Sequence, residues 1–336
     1  MNDGGKSIQN KSQRQASYLQ FLGVHDVSLD SQVGIYYSRS VRLKDSESSV
    51  KIIFLDTRTH RDMHYIPSVG QFHFPYTALL AAFIRLSYST LGFGSKYAGD
   101  MLGEDQWRWL EKELLDSDAD VHIIVSSVQV STSNPIVESW GHFPNSKYRL
   151  FEILRKTNPS GLLILSGDVH HAELSNINYH RVDGSQGDWL EVTSSGLTHT
   201  CADNFLTKLI CPQMLNYFDS HRTDHNNYFI ARNYGAIQIS NCNTTGAKKD
   251  AHKCVNIDVS VNSLDSNDVL SRTMTVYPTV KKNTAKISRV EISPFPVVGN
   301  VRTMVCINII LCIIMWIILF TRMRRSTTHQ KKKKKE

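Results

Sequence analysis

The stretch LLILSGDVHHAEL, residues 162–174, constrains the fold of this chain more than any other segment. Its first residues are apolar and predict a buried strand that ends at Gly167. Asp168, His170 and His171 follow immediately. Carboxylate and imidazole groups directly after a buried strand are typical of metal or catalytic sites in α/β proteins, because the strand fixes the backbone and the donors converge beyond its carboxyl end. The alternative is that they are ordinary loop residues whose histidines form local hydrogen bonds.

Three further apolar runs also end in polar side chains. They are KIIFLDTRTHRD at 51–62, VHIIVSSVQV at 121–130 and WLEVTSSGLTHT at 189–200. The first contains Arg58 and Arg61, and the last contains His199. A single polar strand end is more often solvated than functional, whereas four in one chain indicate a site assembled at strand ends.

Helical periodicity appears between these strands, and the alternation predicts an α/β fold. Helices are predicted at residues 11–22, at 106–117 with an inward stripe that begins at Trp107, and at 147–157. The apolar residues 76–93 predict a buried, lid-like helix, or alternatively a helix that rests on a bilayer surface. Beyond residue 237, short strands separated by polar residues predict a small β extension and a stalk, which together occupy residues 241–300.

The formal net charge of +7 comes entirely from the C-terminal tail. Residues 322–336 carry eight Arg or Lys and one Glu, so the 321 residues before them are neutral in sum. Because the neutral part shows no basic stripe interleaved with aromatic residues, we expect no nucleic-acid binding by the folded domain. The length allows one large hydrophobic core or two modest ones.

Residues 304–320, MVCINIILCIIMWIILF, contain no charged side chain. Their length is at the short end of what spans a hydrocarbon core of about 30 Å. The position at the chain end and the basic flank favour a single transmembrane helix over residues 301–321, followed by a polybasic tail at 322–336. The alternative is a buried core helix.

The basic flank also predicts the topology of this helix. By the positive-inside rule the C-terminus lies in the cytosol, and the folded domain lies in a lumen or outside the cell. The rival topology is post-translational insertion of the tail, which leaves the domain cytosolic. The final KKKE, residues 333–336, fits a dilysine retrieval signal or a patch that attracts anionic lipid. We therefore expect a single-pass membrane protein of the endoplasmic reticulum, another endomembrane or the cell surface.

Four cysteines precede the apolar segment, at Cys201, Cys211, Cys242 and Cys254. None belongs to a CxxC pair, so a zinc knuckle is not indicated. An even number beside a membrane anchor suits one or two disulfides in an oxidising lumen. The alternative is four buried free thiols.

Taken together, these features resemble the PhoD-like alkaline phosphatases, a branch of the calcineurin-like metallophosphoesterases. The matching blocks are FLDTRTHRD, MLGEDQWRWLEKEL, HIIVSSVQV, LSGDVHHAEL and EVTSSGLTHT, in the order of the family. The resemblance covers roughly residues 2–240 and implies a phosphatase domain over residues 1–240. It also implies the C-terminal portion of an αββα sandwich that lacks several strands of one sheet.

The resemblance assigns roles in the hydrolysis of a phosphate-ester substrate by metal-activated water. Asp168 and His170 are the implied metal ligands, and His171 is a ligand or supports one. The metals are iron, calcium, zinc or manganese. His199 is a candidate proton donor to a leaving alkoxide, with a turn-capping histidine as the alternative.

Arg58 and Arg61 are candidates for a bidentate phosphate clamp, because guanidinium geometry matches phosphate oxygens. The alternative for both arginines is surface salt bridges with Asp56 and Asp62.

The resemblance is incomplete at the N-terminus. Residues 2–5, Asn-Asp-Gly-Gly, look like those that follow a WDDHDYG-like ligand segment of the family. We expect the chain to be part of a longer protein and, as given, to bind catalytic metal weakly or not at all, since a two-metal site needs ligands on both sides of the pair. The alternative function is a non-catalytic, membrane-anchored pseudoenzyme that uses the phosphatase scaffold for binding.

Overall fold

The computed structural model describes residues 4–23, 29, 32–44, 48–66, 77–242, 254–278 and 286–297, with six positions between 306 and 316. The helices are α1 (Lys11–Phe21), α2 (Thr77–Thr90), α3 (Glu104–Leu115), α4 (Pro144–Thr157) and α5 (Phe205–Tyr217). The strands are β1 (Tyr37–Arg42), β2 (Ser49–Phe54), β3 (Val121–Val125), β4 (Leu162–Ser166), β5 (Ala172–Arg181), β6 (Gln186–Ser194), β7 (Tyr228–Phe229), β8 (Asn233–Asn241), β9 (Val255–Ser263), β10 (Leu270–Val276) and β11 (Ile287–Val290).

A mixed eight-stranded sheet forms the centre of the fold, in the order β1-β2-β3-β4-β6-β5-β11, with β7 paired to β5. The neighbours β2, β3, β4 and β6 are parallel. The pairs β1–β2, β5–β6, β5–β7 and β5–β11 are antiparallel. The parallel strands are rich in Val, Ile and Leu because both of their faces are covered. The α/β class predicted from the sequence is therefore confirmed.

Helices α3 and α4 cover one face of this sheet. Trp107, Leu110 and Leu114 of α3 are buried in one cluster with Ile124 of β3 and Ile164 of β4. These three α3 residues follow the helical period, so the predicted inward stripe is confirmed. The Leu and Phe side chains of α4 join the same cluster.

Helix α4 begins earlier than the sequence analysis predicts. It starts at Pro144, because proline fits the first helical position, where its missing N–H is not needed. It ends at Thr157, and the capping residue Asn158 adopts a left-handed conformation with φ 45° just before Pro159. A left-handed residue of this kind is a common way to end a helix.

A second sheet, in the order β10-β9-β8, covers the opposite face. Val255, Ile257 and Val259 of β9 are buried in one cluster with Leu163 of β4 and Leu190 of β6. The boundary predicted at residue 240 falls inside β8. The strands after it share a hydrophobic core with the strands before it, because alternation along β9 directs every second side chain at the large sheet. Among the described residues, the layers are thus helices, mixed sheet and three-stranded sheet.

The apolar segment 76–93 contains helix α2, as predicted. Ala81 and Tyr88 are buried, and the Arg85 side chain donates to the Ile136 carbonyl at 3.0 Å. Helix α5 lies in a segment for which the sequence analysis made no prediction. It contains Pro212 and is joined to the preceding loop by the disulfide Cys201–Cys211, while a second disulfide joins Cys242 to Cys254.

In the part of the chain that the structure describes, no helix has both the length and the apolar character needed to cross a membrane. The predicted span at 301–321 falls almost entirely outside the described residues, and the tail at 322–336 does so completely. The transmembrane helix, the topology and the localisation therefore stay predictions.

Candidate active site

The loops that follow β2, β3, β4 and β6 meet at one edge of the large sheet. Because these strands are parallel and adjacent, their carboxyl ends lie side by side. The loops are also joined directly. The hydroxyl groups of Thr57 and Ser127 lie 2.5 Å apart and connect the loops after β2 and β3. The Ser195 N–H donates to the His171 carbonyl at 3.2 Å and connects the loops after β6 and β4.

Asp56 organises the loop after β2. Its carboxylate accepts backbone N–H groups from Ile35, Arg58 and Thr59 at 2.8–2.9 Å, and the Thr59 hydroxyl at 2.5 Å. Burial by itself raises the pKa of Asp56, but these hydrogen bonds outweigh it and leave the pKa below its ordinary value. Gly34 adopts φ 103°, and a Cβ there would lie 2.9 Å from Asp56 Oδ2. The carboxylate therefore holds the backbone that presents Arg58.

The Arg58 side chain points from this loop toward the loop after β4. Its Nη1 donates to Glu138 Oε1 at 2.6 Å, and its Nη2 lies 3.9 Å from Asp168 Oδ1. The Arg58 side chain is 33 % exposed, whereas that of Glu138 is only 5 % exposed. A buried carboxylate thus fixes one edge of the guanidinium, while the rest faces Asp168 and solvent.

Arg61 does not share this exposure. Its side chain is 1 % exposed and donates to Glu138, to the Gly4 carbonyl at 2.9 Å and toward His64 at 3.1 Å. The predicted pairs of the two arginines with Asp56 and Asp62 are replaced by a shared pair with Glu138. In this arrangement Arg58 faces solvent, and Arg61 anchors the N-terminal residues.

Asp168 and His170 both occupy the left-handed region of backbone space, with φ 76° and 61°. For residues with a side chain this conformation is costly and clusters at functional sites. Both side chains are exposed at the sheet edge. The loop after β4 therefore carries backbone strain at the two residues that the sequence predicts as metal ligands.

His171 points into the protein instead. Its side chain is 1 % exposed, with Nδ1 2.9 Å from the Val169 carbonyl and Nε2 3.1 Å from Glu173 Oε2. The Glu173 carboxylate also contacts His221 and lies 3.4 Å from Arg222 Nε. Burial by itself raises the pKa of Glu173, but His221 and His171 outweigh it and hold the pKa far below its ordinary value. His171 thus fastens the strained loop to a buried ionic cluster.

His199 lies in the loop after β6 and is exposed. Its ring centroid is 6.0 Å from that of His170, and its Nδ1 lies 3.1 Å from the Thr198 hydroxyl. The Cys201 N–H donates to the His170 carbonyl at 3.1 Å, so the two histidines are held side by side. The disulfide from Cys201 to Cys211 fixes the end of this loop against α5.

The donors that the structure describes at this edge do not form a complete metal-binding set. Among the residues that the structure describes, no group of three or more His, Cys, Asp or Glu is placed to hold a metal ion. Asp168 and His170 are exposed together, but His171 is turned to Glu173. Protein metal sites of this kind generally use at least three protein ligands. The described residues therefore do not account for a catalytic metal centre by themselves.

Two functional contributors carry no signal in the sequence. Glu138 lies in an irregular segment, 80 residues after the Arg58 that it holds. His221 follows α5 and reaches Glu173 only through the tertiary fold, while its Nδ1 lies 3.1 Å from the Ser133 hydroxyl. Strand periodicity predicts neither contact, because both join irregular segments to distant strand ends.

A family model described as PhoD-like phosphatase matches residues 25–248, about two thirds of the chain. No curated protein matches. Similar solved structures include one described as the structure of PhoD, with 16 % identity and a TM-score of 0.46. That match covers 89 % of this chain and 54 % of the other.

A second solved structure is described as GAP50, the anchor in the inner membrane complex of Plasmodium. It is 13 % identical with a TM-score of 0.34, and the match covers 73 % of this chain and 55 % of the other. The chain thus spans about half the length of the solved structures it matches. The family match itself includes the loops of Arg58, Asp168, His170 and His199, which meet at the sheet edge. On this match, the chain belongs to the PhoD-like phosphatase family.

Proposed function

We propose that this chain acts in the hydrolysis of phosphate esters, as a metal-dependent phosphatase or phosphodiesterase. The observation that carries the proposal is the position of Arg58 opposite Asp168 at the edge where the parallel strands end. Ligands of open α/β sheets bind at such an edge. The family assignment supports the same reaction class.

Arg58 is the proposed phosphate-binding group. Its guanidinium carries several N–H donors in one plane, and Glu138 fixes that plane through Nη1. The Nη2 atom lies 3.9 Å from Asp168 Oδ1, beyond hydrogen-bond distance, so its N–H groups can donate to a phosphoryl oxygen that enters between the two side chains. Arg61 is buried and is proposed only to hold Glu138 in place.

The two exposed imidazoles have different proposed roles, with His199 as the proton donor and His170 as a metal ligand. Water adds to phosphorus and releases a proton to solvent, the P–O bond to the organic group breaks, and the departing oxygen takes a proton from His199, which solvent then reprotonates. His170 lies beside His199 and is the proposed partner of Asp168 toward a metal ion. The proposed metal ion is iron, calcium, zinc or manganese. Because no three of the described donors are placed to hold a metal ion together, we expect weak metal affinity.

Hydrolysis of 4-nitrophenyl phosphate and bis(4-nitrophenyl) phosphate tests the proposal. The assay supplies each metal at millimolar concentration, because weak sites fill only there. We expect metal-dependent turnover that falls at least about 100-fold in Asp168→Asn, since this variant removes an anionic donor. Asp183→Asn is the matched control, because Asp183 is exposed in the turn between β5 and β6.

The alternative is a non-catalytic protein that binds through the same scaffold. Its signature is phosphate binding at Arg58 without turnover under any of the four metals. Equal turnover in the wild-type protein and Asp168→Asn contradicts the proposed site.

A membrane anchor at residues 301–321 with a cytosolic tail is a further part of the proposal. It is supported by the uncharged sequence of residues 304–320 and the basic residues after it. Alkaline extraction and protease protection of the protein in membranes test it. Release into the soluble fraction at alkaline pH contradicts it.

A further inference from the structure

A cavity of about 590 Å³ opens directly beside Arg58. It lies between α1 and the end of β2, and Thr57, Arg58 and Ser127 line one end of it. The Thr57 and Ser127 hydroxyls are the pair that joins the loops after β2 and β3. The cavity is therefore continuous with the edge where the proposed phosphate group sits.

One face of α1 forms a wall of this cavity and changes character along its length. Lys11, Arg14, Tyr18 and Leu22 line the cavity at the i, i+3, i+7 and i+11 positions that share a helix face. Lys11 Nζ donates to the Thr59 carbonyl at 2.8 Å, so the cationic end of α1 is held against the Arg58 loop. The apolar end, with Tyr18 and Leu22, lies further from the phosphate position.

The apolar end has the form of a wall with one open side. Tyr18 and Leu22 are 51 % and 48 % exposed, while Leu19 and Leu29, which also line the cavity, are buried. Half-exposed aromatic and aliphatic side chains above a buried apolar floor mark a ligand groove more than a solvated helix face. Such a floor contacts the hydrocarbon part of a ligand.

Among the described residues that line the cavity, cationic side chains outnumber acidic ones. Asp56 is the one acidic residue among the described residues that line the cavity, and its oxygens already accept four hydrogen bonds. Arg58 is paired with Glu138 on its buried side, so the excess of positive charge at the end nearest the sheet edge comes mainly from Lys11 and Arg14. That charge is complementary to a phosphate group.

We propose that this groove selects phosphate esters with an extended apolar organic group, such as an alkyl chain or a linked aryl ring. The phosphate lies at Arg58, and the hydrocarbon runs along α1 over Tyr18 and Leu22. The inference rests on the proposed function and names the substrate class of the same site.

Isothermal titration with non-hydrolysable phosphonates tests the groove without turnover. The ligands are methylphosphonate and hexylphosphonate, kept below micelle-forming concentration and at fixed ionic strength. We expect hexylphosphonate to bind roughly 30-fold more tightly, because each buried methylene adds about fourfold and the groove is open on one side. Equal affinity for the two ligands overturns the inference.

Two variants of α1 test whether the higher affinity for hexylphosphonate arises from contacts in the groove. Tyr18→Ser removes an aromatic side chain that lines the cavity. Phe21→Ser is its matched control, because Phe21 is on the same helix but is 85 % exposed and lies outside the cavity lining. We expect Tyr18→Ser to lower hexylphosphonate affinity roughly fivefold and Phe21→Ser to leave it unchanged. An equal loss in both variants overturns the inference, because the chain would then bind by non-specific contact.

The pattern of failure separates this inference from the proposed function. Methylphosphonate binding that is lost in Arg58→Met, without any gain for hexylphosphonate, removes the groove and keeps the phosphate site. Methylphosphonate binding that is undetectable in the wild-type protein removes both.

Discussion

Arg58 Nη2 lies 3.9 Å from Asp168 Oδ1, so the cation after β2 and the carboxylate after β4 face each other across the end of β3. The strand order places β3 between the other two strands, and the two loops reach over it. Glu138 holds Arg58 from the buried side at 2.6 Å. A charged pair that is near but not hydrogen-bonded is suited to open around a ligand.

Arg58→Lys is expected to weaken phosphate binding about tenfold to 100-fold. Lysine keeps the charge but loses the planar fork that contacts Glu138 and a phosphoryl oxygen together. The measurement is the dissociation constant of methylphosphonate. Arg108→Lys is the control, since Arg108 is 69 % exposed and pairs with Asp105 on the surface of α3. A dissociation constant that is unchanged in Arg58→Lys would remove Arg58 from the site.

Asp168→Gly is expected to abolish function while leaving stability unchanged or raised by about 1 kcal/mol, because glycine adopts φ 76° without the cost paid by aspartate. Urea unfolding and the hydrolysis assay measure the two effects. Asn158→Gly is the matched control, with φ 45° at the end of α4, and should retain full activity. Strong destabilisation of Asp168→Gly contradicts the view that Asp168 is strained for function.

Glu173→Gln is expected to lower the free energy of unfolding by about 3–5 kcal/mol, since it leaves Arg222 and two histidines buried without their shared anion. The pKa of Glu173 is lower in the folded state than in the unfolded state. Its contribution to stability is therefore complete above the unfolded-state pKa and is lost as the pH falls toward the folded-state pKa. Between pH 6 and pH 3, the free energy of unfolding should therefore fall more steeply with decreasing pH in the wild-type protein than in the variant.

Glu104→Gln is the control for this cluster. Glu104 is 61 % exposed and pairs with Arg149, so its loss should change stability by less than about 1 kcal/mol. A comparably small loss of stability in Glu173→Gln would contradict the proposed role of the buried cluster.

Lys147 is expected to make stability rise with pH in the alkaline range. Its side chain is 2 % exposed, its Nζ lies 3.2–3.4 Å from three backbone carbonyls, and burial lowers its pKa to about 8, against the opposing effect of Glu191. The unfolded chain binds a proton that the folded chain lacks between about pH 8 and 10.5, so stability increases there by roughly 3 kcal/mol.

Unfolding measured from pH 7.5 to 10 in the wild-type protein and in Lys147→Met checks this prediction. The variant should lack the alkaline rise. Lys156→Met is the control, because Lys156 lies exposed in the last turn of α4 and should keep the rise. Parallel pH profiles for all three proteins would contradict it.

The strands and their polar ends follow from local sequence. Apolar runs predict β2, β3, β4 and β6, and the residues just after each run arrive at the sheet edge because parallel strands end together. Which elements pack on the two faces of the sheet does not follow from such patterns. The alternation in β9 predicts an apolar face, but not that the face packs on Leu163 and Leu190.

The roles within the site divide in the same way. Arg58 and Arg61 are equally polar in sequence, and only the fold buries Arg61 beside Glu138. His170 and His171 are adjacent, yet their side chains point in opposite directions. His170 is exposed, and His171 is buried. Side-chain direction after a strained turn depends on tertiary contacts such as that of His221 with Glu173, which no local pattern identifies.

The position of a bound phosphate analogue tests the central claim most directly. Crystals grown with orthovanadate should show the anion within hydrogen-bond distance of the Arg58 guanidinium, beside the loop of Asp168 and His170. Glu138 should still contact Arg58 Nη1 from the buried side. An anion bound elsewhere, with Arg58 still facing Asp168 as it does here, would contradict the proposed site.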